Sequence, residues 1–251
     1  MKPLLLALTL LTLLPSIAYA DDVIDHKPLH ELLQRHVDKD GGVSYAALKA
    51  DKEDRAKLAA YLKAVHEAKP AEASKKAQLA YYINAYNAAV LNAVIERLPV
   101  ESVMKVDGFF NKIEHPIAGK QMTLDHLENK IIRPEFKDAR VHFVLVCAAK
   151  SCPKLQRSAL TEQNVEATLN RATRDFIRAT SKLDADKKTL TVSKLFEWFA
   201  DDFKRDGGGD VRGFIARYML PADAPADARA AITGATLATY EYDWALNAKK
   251  K

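Results

Sequence analysis

The feature that most constrains the fold is a long helical pattern over residues 72–98, which is stopped by Pro99. Apolar residues at helical spacing also predict shorter helices, over residues 22–37, 52–68, 161–180 and 194–204. Helix outweighs strand, and no linker is long enough to separate two domains. We therefore predict a single α+β domain that spans residues 21–251.

The predicted strands are few and short. We expect a hairpin over residues 112–123, a short strand at 189–192 and a closing strand at 238–244. Residues 140–147 are rich in Val and Phe and are mostly apolar on both faces, which predicts a strand covered on both sides. The expected architecture is a helix-rich domain around a small sheet, with a buried central strand at about residues 140–147.

The N-terminus has the pattern of an export signal. An apolar run over residues 4–14 follows Lys2 and precedes Ala18-Tyr19-Ala20. That order is typical of a signal peptide with an Ala-x-Ala cleavage site. The run is too short for a stable membrane helix, which needs about 20 apolar residues, although an uncleaved anchor remains the alternative. We predict a signal peptide over residues 1–20, removed near Ala20, and a periplasmic or secreted protein without a stable membrane span.

The charge pattern indicates an ordinary solvated surface. The formal net charge is +5, and the charges of both signs are interspersed along the chain. This excess is too mild and too evenly spread for a nucleic-acid footprint. Residues 207–209 are glycines without the Lys-Ser/Thr of a phosphate loop. His26 and His30 have the i, i+4 spacing of a helix-borne zinc site but lack its Glu. We expect no nucleic acid, cofactor or metal, and as partner an unknown envelope protein or a small ligand.

Several sequence blocks resemble one known family. The blocks are residues 80–88 (AYYINAYNA), 124–134 (LDHLENKIIRP), 140–147 (RVHFVLVC) with 151–153 (SCP), 195–203 (LFEWFADDF) and 242–247 (YDWALN). In this order they are similar to the domain of unknown function 547, over a core of about residues 45–247. The resemblance implies membership of that family and no particular activity.

The two cysteines are the first candidates for chemistry. Cys147 and Cys152 are the only ones in the chain, separated by four residues at the end of the predicted strand. In an oxidising compartment nearby thiols usually pair, so a structural disulfide is the preferred prediction. The alternative is a Cys152 thiolate favoured by Lys150 and activated by His142, as in cysteine hydrolases and acyl transferases. Strand alternation would place His142 and Cys147 on opposite faces, whereas Cys152, beyond a loop, could fold back toward His142.

Two asparagines in the long helix suggest a polar task. Asn84 and Asn87 are three residues apart and share a helix face, although asparagine is a poor residue for a helix interior. They could clamp a neighbouring loop or bind a ligand, for which Lys150 and Asp243 are further candidates. Asn84, Asn87 or Asp243 could instead orient a catalytic His142. Two functions therefore remain open: a ligand- or partner-binding envelope protein with a structural disulfide, and a thiol-dependent hydrolase or acyl transferase acting on peptide or envelope material.

Overall fold

The long predicted helix forms the middle of the structure. The computed structural model describes residues 22–249, so the predicted signal peptide over residues 1–20 lies outside the described residues. The long helix spans Lys75–Arg97, and the Ser74 side chain caps it by accepting a hydrogen bond from the Ala77 amide. It is buried around most of its circumference and packs against the helices Lys52–Glu67 and Val165–Thr180. The structure is therefore a helix-rich α+β domain, as predicted.

The remaining helical segments surround this helix. The other α-helices are Lys27–His36, Tyr45–Ala50, Lys52–Glu67, Leu124–His126, Arg133–Phe136, Val165–Thr180, Leu195–Trp198, Ala200–Asp206, Val211–Met219 and Ala226–Thr233. Short 3-10 helices lie at Pro70–Glu72, Val103–Lys105 and Ala139–Phe143, and a π-helix spans Leu127–Ile132. None of the helices described between residues 22 and 249 combines the length and hydropathy needed to cross a membrane.

The strands form two small sheets. Glu114–Ile117 and Lys120–Thr123 pair as the predicted antiparallel hairpin. In the second sheet Thr189–Val192 lies in the middle, antiparallel to Lys182–Asp184 and parallel to Thr236–Thr239. The segment between the two parallel strands consists mainly of helices, and aromatic rings of these helices are buried in the core.

The prediction of a central strand at residues 140–147 is wrong, although the segment is buried. Ala139–Phe143 is a 3-10 helix, and the chain then continues to Cys147 without regular structure. Two backbone groups that a neighbouring strand would pair are satisfied by one side chain instead. Asn87 donates to the Val144 carbonyl at 2.8 Å and accepts from the Val146 amide at 3.0 Å. A short apolar run does not distinguish a buried strand from another buried segment, so the pattern was misleading.

Two further elements differ from the sequence prediction. The helix expected over residues 194–204 is interrupted at Phe199, between Leu195–Trp198 and Ala200–Asp206. The closing strand stops at Thr239, and the chain beyond it runs irregularly. Both departures concern residues that line a cavity, since Phe199 lies at the break and Tyr242 and Trp244 lie in the irregular end.

Candidate functional site

A cavity of about 260 Å³ lies where the long helix, the π-helix, the segment after Phe143 and the C-terminal segment meet. We call it the aromatic cavity. Its walls include six aromatic side chains, from Tyr86, Phe110, Trp198, Phe199, Tyr242 and Trp244. Its polar lining consists of Asp125, Glu128, Asn129 and His142, and both cysteines also line it. The largely apolar wall with a few polar groups is typical of a small-molecule site.

His142 is held rigidly at the cavity by a carboxylate and a ring. Its Nε2 lies 2.8 Å from Oδ2 of Asp202, and its imidazole stacks on the Phe199 ring with centroids 3.9 Å apart. Asp202 also accepts hydrogen bonds from Arg133 Nε at 2.7 Å and from Arg205 Nη1 at 3.0 Å. The predicted orienting residues Asn84, Asn87 and Asp243 do not hold this ring, because Asp202 does.

The charges around His142 fix its tautomer. Burial alone would raise the pKa of Asp202, but the hydrogen bonds from His142 and Arg133 outweigh it and hold that pKa well below its usual range. Burial lowers the pKa of His142 despite the opposing effect of Asp202, so the imidazole is neutral at pH 7. Since Asp202 can only accept, Nε2 carries the proton and donates, and Nδ1 is left with a lone pair. That Nδ1 is buried and has no hydrogen-bond partner.

Glu128 is the nearest carboxyl to this free nitrogen. It belongs to the π-helix Leu127–Ile132, and its Oε1 lies 3.7 Å from Nδ1 of His142, too far for a hydrogen bond. Burial raises the pKa of Glu128 to about 7, although Arg133 and the Tyr86 hydroxyl oppose this shift. Single-turn π-helices occur frequently at functional sites. A carboxyl that titrates near neutral pH beside a neutral imidazole can accept or donate protons and hydrogen bonds within the cavity.

The two cysteines are joined in a disulfide, as predicted. Cys147 and Cys152 are bonded, with their Cα atoms 6.2 Å apart. The Tyr242 hydroxyl lies 3.3 Å from the Cys152 sulfur and 3.4 Å from the Cys147 sulfur. His142 and Cys147 line the same cavity, contrary to the opposite faces expected from a strand, because residues 139–143 form a 3-10 helix. Cys152 also faces the cavity but has no free thiol in this state.

Asn84 and Asn87 clamp two neighbouring segments through their side-chain amides. Asn84 donates to the Leu160 carbonyl at 2.7 Å and accepts from the Leu160 amide at 3.0 Å. Asn87 makes the equivalent pair of bonds to residues 144 and 146. Neither asparagine lines the aromatic cavity, so a ligand-binding or catalytic role for them stays a prediction.

Lys150 and Asp243 lie at the surface, and neither lines the aromatic cavity. Their backbones belong to a contact between the disulfide loop and the C-terminal segment. The Lys150 amide donates to the Ala245 carbonyl at 2.8 Å, and the Ser151 amide donates to the Asp243 carbonyl at 3.1 Å. This contact brings Tyr242 and Trp244 to the cavity, so the segment contributes more through its rings than through its carboxylate.

The sequence did not single out Glu128, Asp202 or the aromatic walls. Glu128 and Asp202 are 74 positions apart in sequence blocks of mixed composition, and only the fold brings both to His142. The available signal was an acidic residue, Asp202, placed between aromatic residues of one predicted helix. Within residues 22–249, no group of three His, Cys, Asp or Glu side chains is arranged to hold a metal ion.

Comparison with known families gives one match. Residues 70–177 match the family model described as "Protein of unknown function, DUF547". The matched range contains the long helix, the π-helix, His142 and the disulfide. No curated protein and no solved structure matches the chain.

Proposed function

From the premise that this chain belongs, over residues 70–177, to the DUF547 family of unknown function, we propose that it is an exported protein that binds a small uncharged or cationic ligand in the aromatic cavity. The observation that carries this proposal is the chemistry of the lining. Asp125 and Glu128 contribute carboxyl groups, six aromatic rings form the walls, and neither Lys nor Arg is among the lining residues. An anionic ligand would lose its hydration without gaining a cationic partner there.

Export is supported by two features that lie far apart in the chain. The Ala-x-Ala pattern before Asp21 predicts cleavage after Ala20. The Cys147–Cys152 disulfide suits an oxidising compartment, such as the periplasm or the extracellular space. N-terminal sequencing of the protein from the envelope fraction tests this. We expect Asp21 as the first residue, and an intact Met1 on protein from the cytoplasmic fraction would contradict export.

Ligand binding can be measured with the protein's own fluorophores. Trp198 and Trp244 are the only two tryptophans of the chain, and both line the cavity. We would titrate phenethyl alcohol and phenylacetate, which share a ring and differ in charge, and excite at the red edge of the tryptophan band. We expect the alcohol to change the emission with saturation and phenylacetate to bind at least tenfold more weakly. Equal binding of the carboxylate, or no saturable response to either probe, would overturn the proposal.

A matched variant localises the response. Trp198→Phe keeps an aromatic wall while it removes one fluorophore, so the amplitude should fall and saturation should remain. Met104→Ala changes an exposed apolar side chain that does not line the cavity, and it should alter neither amplitude nor affinity. If the amplitude of the emission change is the same in Trp198→Phe as in the wild type, the ligand binds elsewhere.

A thiol-dependent hydrolase or acyl transferase is the second candidate. It is favoured by one observation, which is that Cys152 and His142 line the same cavity. The disulfide must first be reduced, because the bonded Cys152 cannot be a nucleophile. Intact-mass measurement with an alkylating agent at pH 5 and pH 8, before and after reduction, tests this candidate. A single thiol that reacts fast at pH 5 after reduction would support it, whereas two thiols that react only at pH 8 would exclude it.

A further inference from the structure

Two groups that line the aromatic cavity, the Glu128 carboxyl and Nδ1 of His142, can accept hydrogen bonds and face each other without a shared donor. We propose that the ligand carries a primary ammonium group, held between the Glu128 carboxylate and Nδ1 of His142 against the aromatic wall. This inference rests on the proposed binding function and adds the chemical class of the ligand. It follows from three observations: a free acceptor, an uncompensated carboxyl and a gap of suitable width.

The free acceptor is Nδ1 of His142. The His142 side chain is 1% exposed, and this nitrogen has no partner, whereas Nε2 is engaged by Asp202 at 2.8 Å. Buried polar atoms in folded proteins almost always have a partner. Because Phe199 stacks on the ring and Asp202 fixes its plane, Nδ1 cannot turn away to find one. A molecule bound in the cavity would supply the missing donor.

The uncompensated carboxyl is Glu128. Arg133 is the cation close enough to oppose the pKa shift of Glu128. Its guanidinium already donates to Asp202 at 2.7 Å and to Asn129 at 2.6 Å. Asp125 and Asp202 add negative charge and raise the pKa of Glu128 further. A ligand cation would replace these unfavourable interactions by a favourable one.

The gap between the two acceptors suits a nitrogen with several protons. Glu128 Oε1 and His142 Nδ1 are 3.7 Å apart, which leaves them unbonded but lets one atom contact both at hydrogen-bond distance. A primary ammonium offers three donors and no acceptor, so it satisfies both groups and keeps one proton for the Tyr86 hydroxyl. A hydroxyl offers one donor, and a quaternary ammonium offers none. Trp198 and Tyr242, which also line the cavity, would add cation–π attraction.

Proton linkage gives this proposal a signature. The groups that face Glu128 are Arg133, Tyr86, Asp125, Asp202 and His142, and burial raises the pKa of Glu128 to about 7. A primary amine stays protonated up to about pH 10. The affinity for an amine should therefore be flat above pH 7 and fall about tenfold per pH unit below it, because binding must then expel the Glu128 proton. An uncharged ligand should show no such loss.

The experiment compares three probes on the oxidised mature protein. Phenethylamine, phenethyl alcohol and trimethyl(phenethyl)ammonium share one ring and differ in charge and in donors. At pH 8, read by tryptophan fluorescence, we expect the amine to bind at least tenfold more tightly than each of the other two. Between pH 5 and pH 8 the affinity for the amine should follow the linkage above.

Three variants assign the effect to the two acceptors. Glu128→Gln should remove the preference for amine over alcohol and its pH dependence, so that the two affinities become similar at every pH. His142→Gln can still donate to Asp202 but lacks the Nδ1 acceptor, so it should weaken the amine severalfold. Glu31→Gln replaces an exposed carboxyl on the first helix and should have no effect.

The outcomes separate this inference from the function on which it rests. If the alcohol binds as tightly as the amine at every pH, the ammonium proposal is overturned and cavity binding stands. If the trimethyl compound matches the amine, cation–π attraction suffices and the role of Nδ1 is overturned. If none of the three probes gives a saturable response, both proposals fail. If circular dichroism shows that His142→Gln does not fold, Glu128→Gln and the three probes decide the question.

Discussion

Two regions of the molecule contain nearly the same arrangement of a buried histidine, an aspartate and an arginine. On the first helix, His36 Nε2 lies 2.7 Å from Asp54, which also accepts from Arg35 at 2.8 Å. At the aromatic cavity, His142 Nε2 lies 2.8 Å from Asp202, which also accepts from an arginine. In both cases hydrogen bonds to the carboxylate outweigh the effect of burial and lower its pKa.

The difference lies on the far side of each imidazole. Nδ1 of His142 is buried without a partner and faces Glu128, whereas Nδ1 of His36 is not among the buried atoms left without one. His36 does not line the aromatic cavity. The histidine–aspartate pair is thus a structural element that the fold uses twice, and the neighbours of the second nitrogen make one copy a candidate site.

Removal of either carboxylate should have the largest effect on stability. Asp202→Ala should lower the free energy of unfolding by about 4 kcal/mol and Asp54→Ala by about 3 kcal/mol, because each leaves buried or half-buried donors without an acceptor. Chemical denaturation at pH 7 measures both. Only Asp202→Ala should also abolish binding of phenethyl alcohol, tested on the fraction that remains folded. Equal loss of binding in both variants would mean that the two copies do not differ in role.

Glu128 lies beside one of the two histidine–aspartate pairs, the pair at the aromatic cavity. It should make the free energy of unfolding depend on pH. Its pKa of about 7 lies above the ordinary value of 4.5, so the native state favours the protonated form. The stabilisation is complete below pH 4.5 and lost as the pH rises through 7. Glu128→Gln resembles the protonated form, so it should match the wild type near pH 4 and exceed it by about 2–3 kcal/mol above pH 7. Denaturation midpoints across this range test the difference, and Glu31→Gln, which loses its ion pair with Lys57, should gain no stability above pH 7.

The disulfide gives the wall beside His142 a covalent link, and its loss should have an intermediate effect. The closed loop is short, so Cys147→Ser and Cys152→Ser should each lower the free energy of unfolding by about 2 kcal/mol. The double variant should cost little more than either single one, because both remove the same bond. If one single variant is neutral and the other loses binding, the two cysteines have separate roles.

The smallest effect on stability is expected at the cavity mouth. Trp198 is 44% exposed, so Trp198→Ala should change the free energy of unfolding by less than about 1 kcal/mol. Its ring is one wall of the cavity, so the affinity for phenethyl alcohol should still fall severalfold. Isothermal titration calorimetry measures this without relying on the lost fluorophore. A large decrease in the free energy of unfolding would instead show that Trp198 belongs to the core.

Much of the fold could be predicted because it depends on local signals. The long helix and the hairpin lie where the sequence places them. Residues 140–147 could not be assigned correctly, because their partner is a side chain from residue 87 and not a neighbouring strand. The same helix-borne asparagine explains why a poor helix former is tolerated at that position.

The candidate site was only partly predictable. His142, Cys147 and Cys152 are candidates for chemistry by residue type, and the structure brings all three to one cavity. Glu128 and Tyr86 have no sequence feature that distinguishes them from a surface acid or a core-edge ring. Their role depends on a π-helix and on burial, which no local pattern reveals.

The sequence by itself determined the helix-rich α+β class. It also predicted an export signal and, as the preferred state of the two cysteines, a disulfide, since each depends on composition or on short-range spacing. The tertiary structure alone decided which of two similar histidine–aspartate pairs faces a cavity. That decision depends on desolvation and on contacts between residues far apart in the chain, such as Glu128 and His142 with Asp202. Burial changes a carboxyl from an ordinary surface charge into a group that titrates near pH 7, and burial is a property of the fold.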